Sequence, residues 1–529
     1  MDEFDFVVVG AGSAGCVLAR RLVEAGKTVC LLEAGPEDRS LWIHLPIGYG
    51  KTMWDPRFNW RFETDPDPGM KGRRIYWPRG KTLGGSSAIN GLIYIRGQRE
   101  DYDDWAAAGN PGWSFSEVLP YFVKSENNDR GPDNLHGGSG PLCVSDIGAK
   151  DELIEALIAG AQELGIPRNP DFNGATQEGA GYYQLNTRRG LRCSTAVGYL
   201  RPIRRHPKLN VRTNALATRI LFEGRRAKGV AYRNRAGQGE VRARREVILC
   251  AGAIQSPQLL QLSGVGPAGL LAENGIQLVH ASREVGENLQ DHLQFRLIYR
   301  CSKPVTTNDQ LRSLMGRARI GLQWLVSRSG PLAVGINQGG IFARALPESD
   351  RPDVQFHCAT LSADMAGGKV HPFSGFTLSV CQLRPQSRGY VRVRSVDPAE
   401  PPAMQPHYLS TELDRRTAVA AIKLARALSR TPSVRPYVAE EIKPGSALRS
   451  DDELLDFARE TGATIFHPSG TCRMGCDASA VVDPRLRVNG VERLRVVDAS
   501  IMPALVSGNT NAGVVMIAEK ASDMILEAR

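Results

Sequence analysis

The chain has 529 residues, of which 42% are hydrophobic and 23% charged, and its formal net charge is +10. This composition excludes a disordered or fibrous protein, and the length exceeds what one hydrophobic core usually supports, so we expect two large units. The basic residues are scattered rather than grouped in a run, which argues against nucleic-acid binding.

The first forty residues predict a βαβ unit. Three glycines with the spacing GxGxxG, Gly10, Gly12 and Gly15, separate a buried strand from a helix, and a second buried strand ends at Glu33. Such glycines allow a tight turn and a close approach of backbone to a pyrophosphate at the helix N-terminus. The carboxylate can accept hydrogen bonds from an adenosine ribose. The motif therefore predicts dinucleotide binding without separating FAD from NAD.

The middle of the chain changes character twice. From 40 to 145 the periodicity is poor and glycine, proline and tryptophan are frequent, as in irregular segments that line a site. Apolar spacing then predicts a helix over 151–164, and alternation predicts strands over 209–222 and 228–249.

The second half predicts a different sheet. Alternating segments at 377–383 and 389–394 indicate antiparallel strands with one covered face. Further helices are predicted over 412–429, 451–460 and 512–527.

Four further segments combine small and polar residues in ways that suit a ligand. The segment 80–90 pairs two glycines with two serines, and 252–266 is a strand-turn-helix connection with small residues at its turn. Taken alone, the first could be a surface linker and the second an ordinary connection. The segment 466–475 contains His467, and the segment 498–512 precedes the last helix, whose N-terminus suits polar edges of a cofactor.

Together these motifs resemble the glucose–methanol–choline (GMC) family of flavin oxidoreductases, over nearly the whole chain. The segments 80–90 and 252–266 are similar to the two signature patterns of that family, and 466–475 and 509–512 to its active-site segments. The resemblance implies an α/β fold, in which a Rossmann-type FAD-binding domain carries a second, substrate domain built on an antiparallel sheet covered by helices.

The domain organisation that we predict alternates between the two units. Residues 1–150, 196–295 and 461–529 are assigned to the FAD-binding domain, and 151–195 and 296–460 to the substrate domain. The residues that the resemblance implies for cofactor binding are Gly10, Gly12, Ser13, Ala14, Gly15, Glu33, Ala34, Leu83, Gly84, Gly85, Ser86, Asn90, Gly91, Leu92, Ile93, Ala217, Ala251, Gly252, Asp498, Ala499, Asn509, Thr510, Asn511 and Ala512. No metal is expected.

His467 matches the catalytic histidine of the family, and Asn511 is assigned to the second active-site position. An alcohol releases hydride more readily as its hydroxyl proton is removed, and a neutral imidazole is suited to accept that proton near pH 7. An asparagine can donate a hydrogen bond to the alcohol oxygen but cannot titrate. We therefore predict that His467 is the base, Asn511 orients the alcohol, and hydride passes to flavin N5.

Attachment, acceptor and substrate are predicted less directly. Some members bind FAD covalently through a histidine just before the position of Asn90; Ile89 stands there, so we predict non-covalent FAD. The stretches 78–87 and 467–475 look most like the bacterial alcohol and choline dehydrogenase branch, which favours a quinone or another acceptor over O₂. Ile465 and Phe466 suggest an apolar wall for an aliphatic or aromatic primary alcohol, although both could simply pack in the core. We identify no choline site.

The sequence begins without the positive segment and cleavable apolar stretch of a secretory signal. We expect a cytoplasmic protein and leave open a peripheral association with the inner face of the membrane; the oligomeric state is left unassigned. Three alternatives remain at this stage: an NAD-dependent dehydrogenase, a lyase on the same scaffold, and a non-catalytic flavin-binding protein.

Overall fold

The computed structural model describes residues 2–148, 150–365 and 367–528. The outermost limits of the predicted domains, residues 1 and 529, lie outside the described residues, and the four internal boundaries stay a prediction.

A mixed sheet contains the predicted βαβ unit. Its parallel part runs through Leu209–Arg212, Val29–Leu32, Asp2–Val9 and Gly237–Leu249, and Leu494–Val496 also pairs with the last of these strands. Antiparallel strands Arg226–Asn234 and Leu216–Glu223 extend the sheet beyond Gly237–Leu249. The central strands are continuous apolar runs because helices cover both faces, among them Ser13–Glu24, Gly252–Leu262 and Asn511–Glu527.

The second sheet has seven strands that pair antiparallel, as predicted. In spatial order the path is Val438–Lys443, Leu293–Cys301, Gly375–Gln382, Val354–Ala359, Asn337–Ala343 and Gly179–Tyr182, and Ala463–Thr464 pairs with Leu293–Cys301. Helices Glu152–Glu163, Glu412–Arg430 and Asp451–Thr461 pack on one face.

Alternation along these strands separates the two faces of the second sheet. Phe295 and Leu297 point into the helix-covered core, whereas Gln294 and Arg296 point to the other side. The register places Arg296, Ser379 and His357 side by side across three strands on that polar side. One face of the sheet is thus core, and the other is available for a site.

Smaller elements complete the described residues. The two-stranded pairs are Phe62–Glu63 with Tyr76–Trp77, Glu126–Asn128 with Leu142–Val144, Thr187–Arg188 with Leu191–Arg192, Val265–Gly266 with His280–Ala281, and Tyr390–Arg392 with Ala403–Gln405. The remaining α-helices are Leu41–His44, Tyr49–Thr52, Arg99–Ala107, Phe115–Ser125, Arg201–Ile203, Ala268–Glu273, Thr307–Arg312 and Leu314–Ser327. The 3₁₀ turns are Pro46–Gly48, Pro68–Met70, Gly85–Ala88, Arg435–Tyr437 and Ala499–Ile501, and Ala196–Leu200 is a π-helix.

Two expectations need correction. The stretch 40–145 is not uniformly irregular, because it contains helices Arg99–Ala107 and Phe115–Ser125, each with a capping box at its start. The predicted strand at 389–394 is Tyr390–Arg392; it joins a separate pair rather than the seven-stranded sheet, since its partner is Ala403–Gln405. The helices at 151–164, 412–429, 451–460 and 512–527 are confirmed to within two residues.

None of the helices in the described part of the chain combines the length and the apolar composition that a membrane span requires.

Candidate active site

A cavity of ≈ 580 Å³ is lined by residues of both sheets. Its first wall consists of the loops at the carboxyl ends of the parallel strands, where doubly wound sheets bind ligands. Its second wall is the polar face of the antiparallel sheet, which contributes Gln294, Arg296, His357 and Ser379. His467 lies on a loop that also borders the cavity. Residues from distant parts of the chain thus meet in one site.

The GxGxxG glycines bring the first helix close to the first strand. Gly10 has φ +98°, and a Cβ atom on it would lie 2.5 Å from the carbonyl oxygen of Cys250. A Cβ on Gly15 would lie 1.9 Å from the carbonyl oxygen of Gly10, so only glycine permits this packing. The N-terminus of helix Ser13–Glu24 has no side-chain cap and faces the cavity. Its free N–H groups and positive dipole end suit a pyrophosphate.

Glu33 also faces this part of the cavity. Its carboxylate accepts hydrogen bonds from the backbone N–H groups of Ala11, at 3.0 Å, and Gly35, at 2.8 Å. Burial raises the pKa of Glu33 to about 7, against the effect of these hydrogen bonds. Ala34 and Ala217 line the cavity beside it. This is the arrangement that a ribose with two hydroxyl donors would meet.

Two other helix N-termini border the cavity. The amide of Gly252 and the hydroxyl of Ser256 both donate to the Asp498 carboxylate, at 2.8 and 2.6 Å, which fixes the start of helix Gly252–Leu262. Helix Asn511–Glu527 has no side-chain cap, and Thr510 and Asn511 line the cavity at its start. These backbone donors suit the polar edges of an extended cofactor.

Most residues predicted for the cofactor line this cavity. They are Gly10, Gly12, Ser13, Ala14, Glu33, Ala34, Gly85, Ser86, Asn90, Gly91, Leu92, Ile93, Ala217, Ala251, Gly252, Asp498, Ala499, Asn509, Thr510 and Asn511. Four others lie behind its wall. Gly15 packs on Gly10, the amide of Gly84 donates to the carbonyl of Ala11 at 2.7 Å, and the side chains of Leu83 and Ala512 are buried in the core of the mixed sheet.

His467 is buried at the cavity and belongs to a chain of hydrogen bonds. Its Nδ1 lies 2.9 Å from Nδ1 of His292, and Nε2 of His292 lies 2.8 Å from the carbonyl oxygen of Leu383. Burial lowers the pKa of His292 to about 4, and burial together with His292, His357 and Arg79 lowers the pKa of His467 well below its ordinary value. Both rings are therefore neutral near pH 7.

The direction of this chain fixes the tautomer of His467. A carbonyl only accepts, so Nε2 of His292 carries the hydrogen and its Nδ1 is the acceptor. Nδ1 of His467 must then donate to His292. In a neutral imidazole the other nitrogen has no hydrogen, so the Nε2 of His467 presents a lone pair on the cavity side. The backbone N–H of His467 donates to Asp291 at 2.7 Å, which holds the residue in place.

The asparagine beside His467 is Asn509 rather than Asn511. Asn509 Nδ2 lies 3.3 Å from His467 Nε2, and Asn509 Oδ1 accepts from Nε2 of Gln355 at 3.1 Å. Asn511 instead accepts from the Ser13 hydroxyl through its Oδ1, at 2.7 Å, and so ties the final helix to the first. Both asparagines line the cavity, but only Asn509 has the position that the sequence analysis gave to Asn511.

The loop before His467 is held in an unusual conformation. Phe466 has φ +72°, in the left-handed region that side chains other than glycine rarely adopt. Its carbonyl accepts from Arg79 Nη2 at 2.5 Å, and the amide of Ile465 donates to the carbonyl of His292 at 3.0 Å. Burial lowers the pKa of Arg79 to about 10. These contacts stabilise the strained backbone and aim the imidazole at the cavity.

Sequence reasoning missed His292, Gln355 and His357. The first two act through contacts with residues 175 and 154 positions away, so no local pattern marks them. His357 is buried and lines the cavity, and neither of its ring nitrogens hydrogen-bonds to any residue that the structure describes. Burial lowers its pKa to about 3, so it is a neutral polar group facing the site.

Loops and short helices outside both sheets line the cavity largely with apolar side chains. The apolar side chains that line it include Trp42, Ile47, Met53, Trp60, Leu311, Leu332, Ile336, Leu361, Val370 and Phe466. The carboxylates among the described lining residues are Glu33 and Asp498, both on the wall formed by the mixed sheet. The cations among the described lining residues are Lys51, Arg79 and Arg296.

Comparison with known proteins decides the family. Residues 4–294 and 385–518 match the N-terminal and C-terminal profiles of the GMC oxidoreductases. The chain belongs to the GMC oxidoreductase family. Two similar proteins are an "Alcohol dehydrogenase [acceptor]" of Pseudomonas putida, 44% identical over 99% of this chain and 96% of the relative, and an "Oxygen-dependent choline dehydrogenase" of Ectopseudomonas mendocina, 46% identical over 99% and 94%.

Solved GMC-type structures agree with the fold. Pyridoxine 4-oxidase from Mesorbium loti has a TM-score of 0.89 at 32% identity, over 98% of both chains. A fungal aryl-alcohol oxidase has a TM-score of 0.87 at 26% identity, over 100% of this chain and 99% of that one. These relationships confirm the predicted Rossmann-type and antiparallel-sheet architecture, and they confirm that the chain is an FAD-dependent oxidoreductase, which removes the NAD alternative.

The cavity fits FAD in its distribution of donors. Backbone N–H groups at Gly12–Ala14 and at Thr510–Asn511 are free of side-chain caps. Glu33 lines the part of the cavity that suits a ribose. At Gly91 and Gly252, a Cβ atom would meet no described atom within 4 Å, so the backbone there is open to a ligand. The residues that would hold FAD are therefore the cavity-lining members of the predicted set.

A pair of variants tests which asparagine acts with His467. Asn509→Ala should slow anaerobic reduction of bound FAD by an alcohol roughly tenfold or more, because a hydrogen bond from the Asn509 amide to the alcohol oxygen, which gains negative charge as its proton leaves, is worth about 1.5–3 kcal/mol. Asn511→Ala should change that rate little, since its amide oxygen is engaged by Ser13. Stopped-flow flavin absorbance measures both. A slow Asn511→Ala variant beside a normal Asn509→Ala variant would restore the assignment made from the sequence.

Proposed function

We propose that this GMC oxidoreductase oxidises an uncharged primary alcohol to an aldehyde and passes the electrons to a quinone-like or other non-NAD acceptor. The observation that carries the proposal is the unprotonated Nε2 of His467, which faces a cavity with many apolar lining residues and with no described carboxylate on the antiparallel sheet. FAD, when bound, supplies the acceptor for the hydride. The reaction class is that of the family, and the roles given to the residues are our own.

His467 acts as the base in this proposal. The alcohol hydroxyl replaces the Asn509 amide as the donor to His467 Nε2 and then transfers its proton there. The resulting imidazolium keeps its Nδ1–H bond to His292, so the ring does not rotate as it becomes charged. Asn509 has two amide hydrogens, and one of them can reach the alcohol oxygen while its Oδ1 remains fixed by Gln355. His357 offers a further polar contact from the sheet.

The cavity favours an uncharged alcohol over choline. A quaternary ammonium is recognised by carboxylates and aromatic faces, but the carboxylates among the described lining residues lie on the mixed-sheet wall and are engaged by backbone N–H groups. Arg296 on the antiparallel sheet and Arg79, which donates to the carbonyl of Phe466, also line the cavity and repel a cation. The "Alcohol dehydrogenase [acceptor]" relative supports the choice of an acceptor other than NAD. The cytoplasmic location expected from the sequence stays a prediction.

Replacement of His467 tests the base. His467→Ala should slow flavin reduction by about 10²–10⁴-fold with FAD retained, because a positioned general base contributes about that factor. His206→Ala is a matched control, since His206 is exposed and outside the cavity. The lowered pKa of His467 keeps it unprotonated down to acid pH, so the acid limb of the rate profile should lie below pH 6.5. A near-normal His467→Ala rate, or a limb above pH 6.5, contradicts the assignment.

We also propose that FAD is held without a covalent bond. Ile89, which has no nucleophilic atom, lines the cavity just before Asn90, and Nδ1 of His467 is engaged by His292. Acid precipitation of the purified protein should therefore release the yellow colour into the supernatant. Colour that stays with the pellet after washing would show a covalent link.

A substrate panel tests the specificity. Anaerobic flavin reduction should favour aliphatic or aromatic primary alcohols over choline by about a hundredfold or more in kcat/KM, because an unpaired buried cation costs several kcal/mol. Arg296→Gln should narrow that ratio by removing one repulsive charge. Reoxidation by a soluble quinone analogue should outpace reoxidation by O₂. A preference for choline would contradict the proposed substrate, and faster reoxidation by O₂ would contradict the proposed acceptor.

A further inference from the structure

The helix Leu314–Ser327 carries an apolar stripe on its outer face. Leu314, Met315, Leu322, Leu325 and Val326 each expose 61–82% of their surface. They make up five of the twelve large apolar residues that are exposed among the described residues. Apolar groups so concentrated on one short element are unusual for a surface in contact with water alone.

The stripe is continuous when the helix is viewed down its axis. At about 100° per residue, these five side chains and Ala318 fall within a sector of about 120°. Ile320 and Trp324 lie on the opposite side and face the protein, where Ile320 is buried and the Trp324 indole donates to the carbonyl of Gly190 at 3.1 Å. The helix therefore has two apolar faces, of which one packs on the protein and the other is exposed to solvent.

Arginines border the stripe on both sides. Arg319 follows it on one edge, and Arg317 and Arg328 lie beyond the other. No Asp or Glu occurs between residues 310 and 346, and the chain as a whole has a formal charge of +10. A second copy of the chain meeting this face symmetrically would bring arginines toward arginines, which disfavours self-association. The complementary surface is apolar and anionic.

The helix also lies at the opening of the cavity. Leu311, just before it, and Leu332 and Ile336, just after it, line the cavity. Two more lining residues, Trp42 and Met365, are exposed by 38% and 52%, so the rim of the opening is itself apolar. The stripe and the lining residues Leu311, Leu332 and Ile336 thus belong to one continuous segment of the chain, 311–336.

We propose that this helix docks the protein onto an anionic lipid bilayer. The apolar stripe enters the boundary between head groups and acyl chains, and the flanking arginines contact anionic head groups. The cavity then opens toward the lipid, which places an apolar alcohol or a lipid-soluble acceptor at the entrance. The docking is inferred from the exposed side chains of the helix. Only the statement about the alcohol and the acceptor rests on the proposed function.

Vesicle flotation of the holoenzyme tests the docking. The protein should float with vesicles of phosphatidylcholine containing roughly one-third phosphatidylglycerol, and bind vesicles of pure phosphatidylcholine much less. Leu322→Glu/Leu325→Glu should reduce the bound fraction more than about tenfold. Leu278→Glu/Val396→Glu is the matched control, because these residues are comparably exposed elsewhere. Arg319→Gln should weaken binding about fivefold, and Arg235→Gln should not.

Flavin content and activity with a soluble substrate and dye should be unchanged in these variants, so a failure of docking is distinguishable from a failure of the proposed chemistry. Equal flotation of the Leu322→Glu/Leu325→Glu variant and its control would overturn the proposal. So would a lipid-free change in oligomeric state caused by Leu322→Glu/Leu325→Glu in sedimentation velocity, because it would assign the stripe to contact between copies.

Discussion

The hydrogen bond from His292 to the carbonyl of Leu383 determines the tautomer of the active-site histidine, His467. Two buried neutral imidazoles can share one hydrogen bond only if one ring donates and the other accepts, and a carbonyl leaves no choice about the direction. His467 must donate inward and keep its lone pair for the cavity. His292, directly before the strand Leu293–Cys301 of the antiparallel sheet, thereby sets the tautomer of a residue 175 positions further along the chain.

The two walls of the cavity differ in their electrostatics. Helix N-termini with free backbone donors face one part, which suits the negative charge of a dinucleotide pyrophosphate. The strands of the antiparallel sheet present Gln294, Arg296, Asn337, neutral His357 and Ser379 to the other part, and neighbouring loops add apolar side chains such as Leu332, Ile336, Leu361 and Val370. The free backbone N–H groups on the mixed-sheet wall suit an anionic cofactor, and the lining on the antiparallel-sheet wall, which has no described carboxylate, suits an uncharged substrate. A single cavity can therefore hold both in separate places.

Local sequence patterns indicated many residues of the mixed-sheet wall, because these residues lie in short motifs. The spacing of the Gly10–Gly15 turn and Glu33 indicated those residues, and the resemblance to the GMC family indicated the loop at 85–93, which also lines the cavity. The catalytic wall was predicted less completely. His292 and Gln355 reach the site only through strand register, and the distinction between Asn509 and Asn511 depends on how the final helix starts.

The two helices that the sequence analysis missed have a different explanation. Helix Arg99–Ala107 is short and mostly polar, and in Phe115–Ser125 a proline, Pro120, interrupts the helical spacing of the apolar residues Phe115, Val118 and Phe122. Their capping boxes were the available signal, since Ser114 and Glu117 have the expected spacing. The outward apolar face of Leu314–Ser327 could not be foreseen, because periodicity reveals a stripe but not the side of the helix on which the protein lies.

The left-handed backbone of Phe466 couples two properties that protein engineers usually treat as separate. Its side chain belongs to the wall that a substrate touches, and its carbonyl and peptide geometry fix the neighbouring His467. A β-branched residue there would add backbone strain, and glycine would relax the loop. Reshaping the pocket at this position to accept new alcohols would therefore also displace the imidazole, and changes in selectivity would arrive together with changes in turnover.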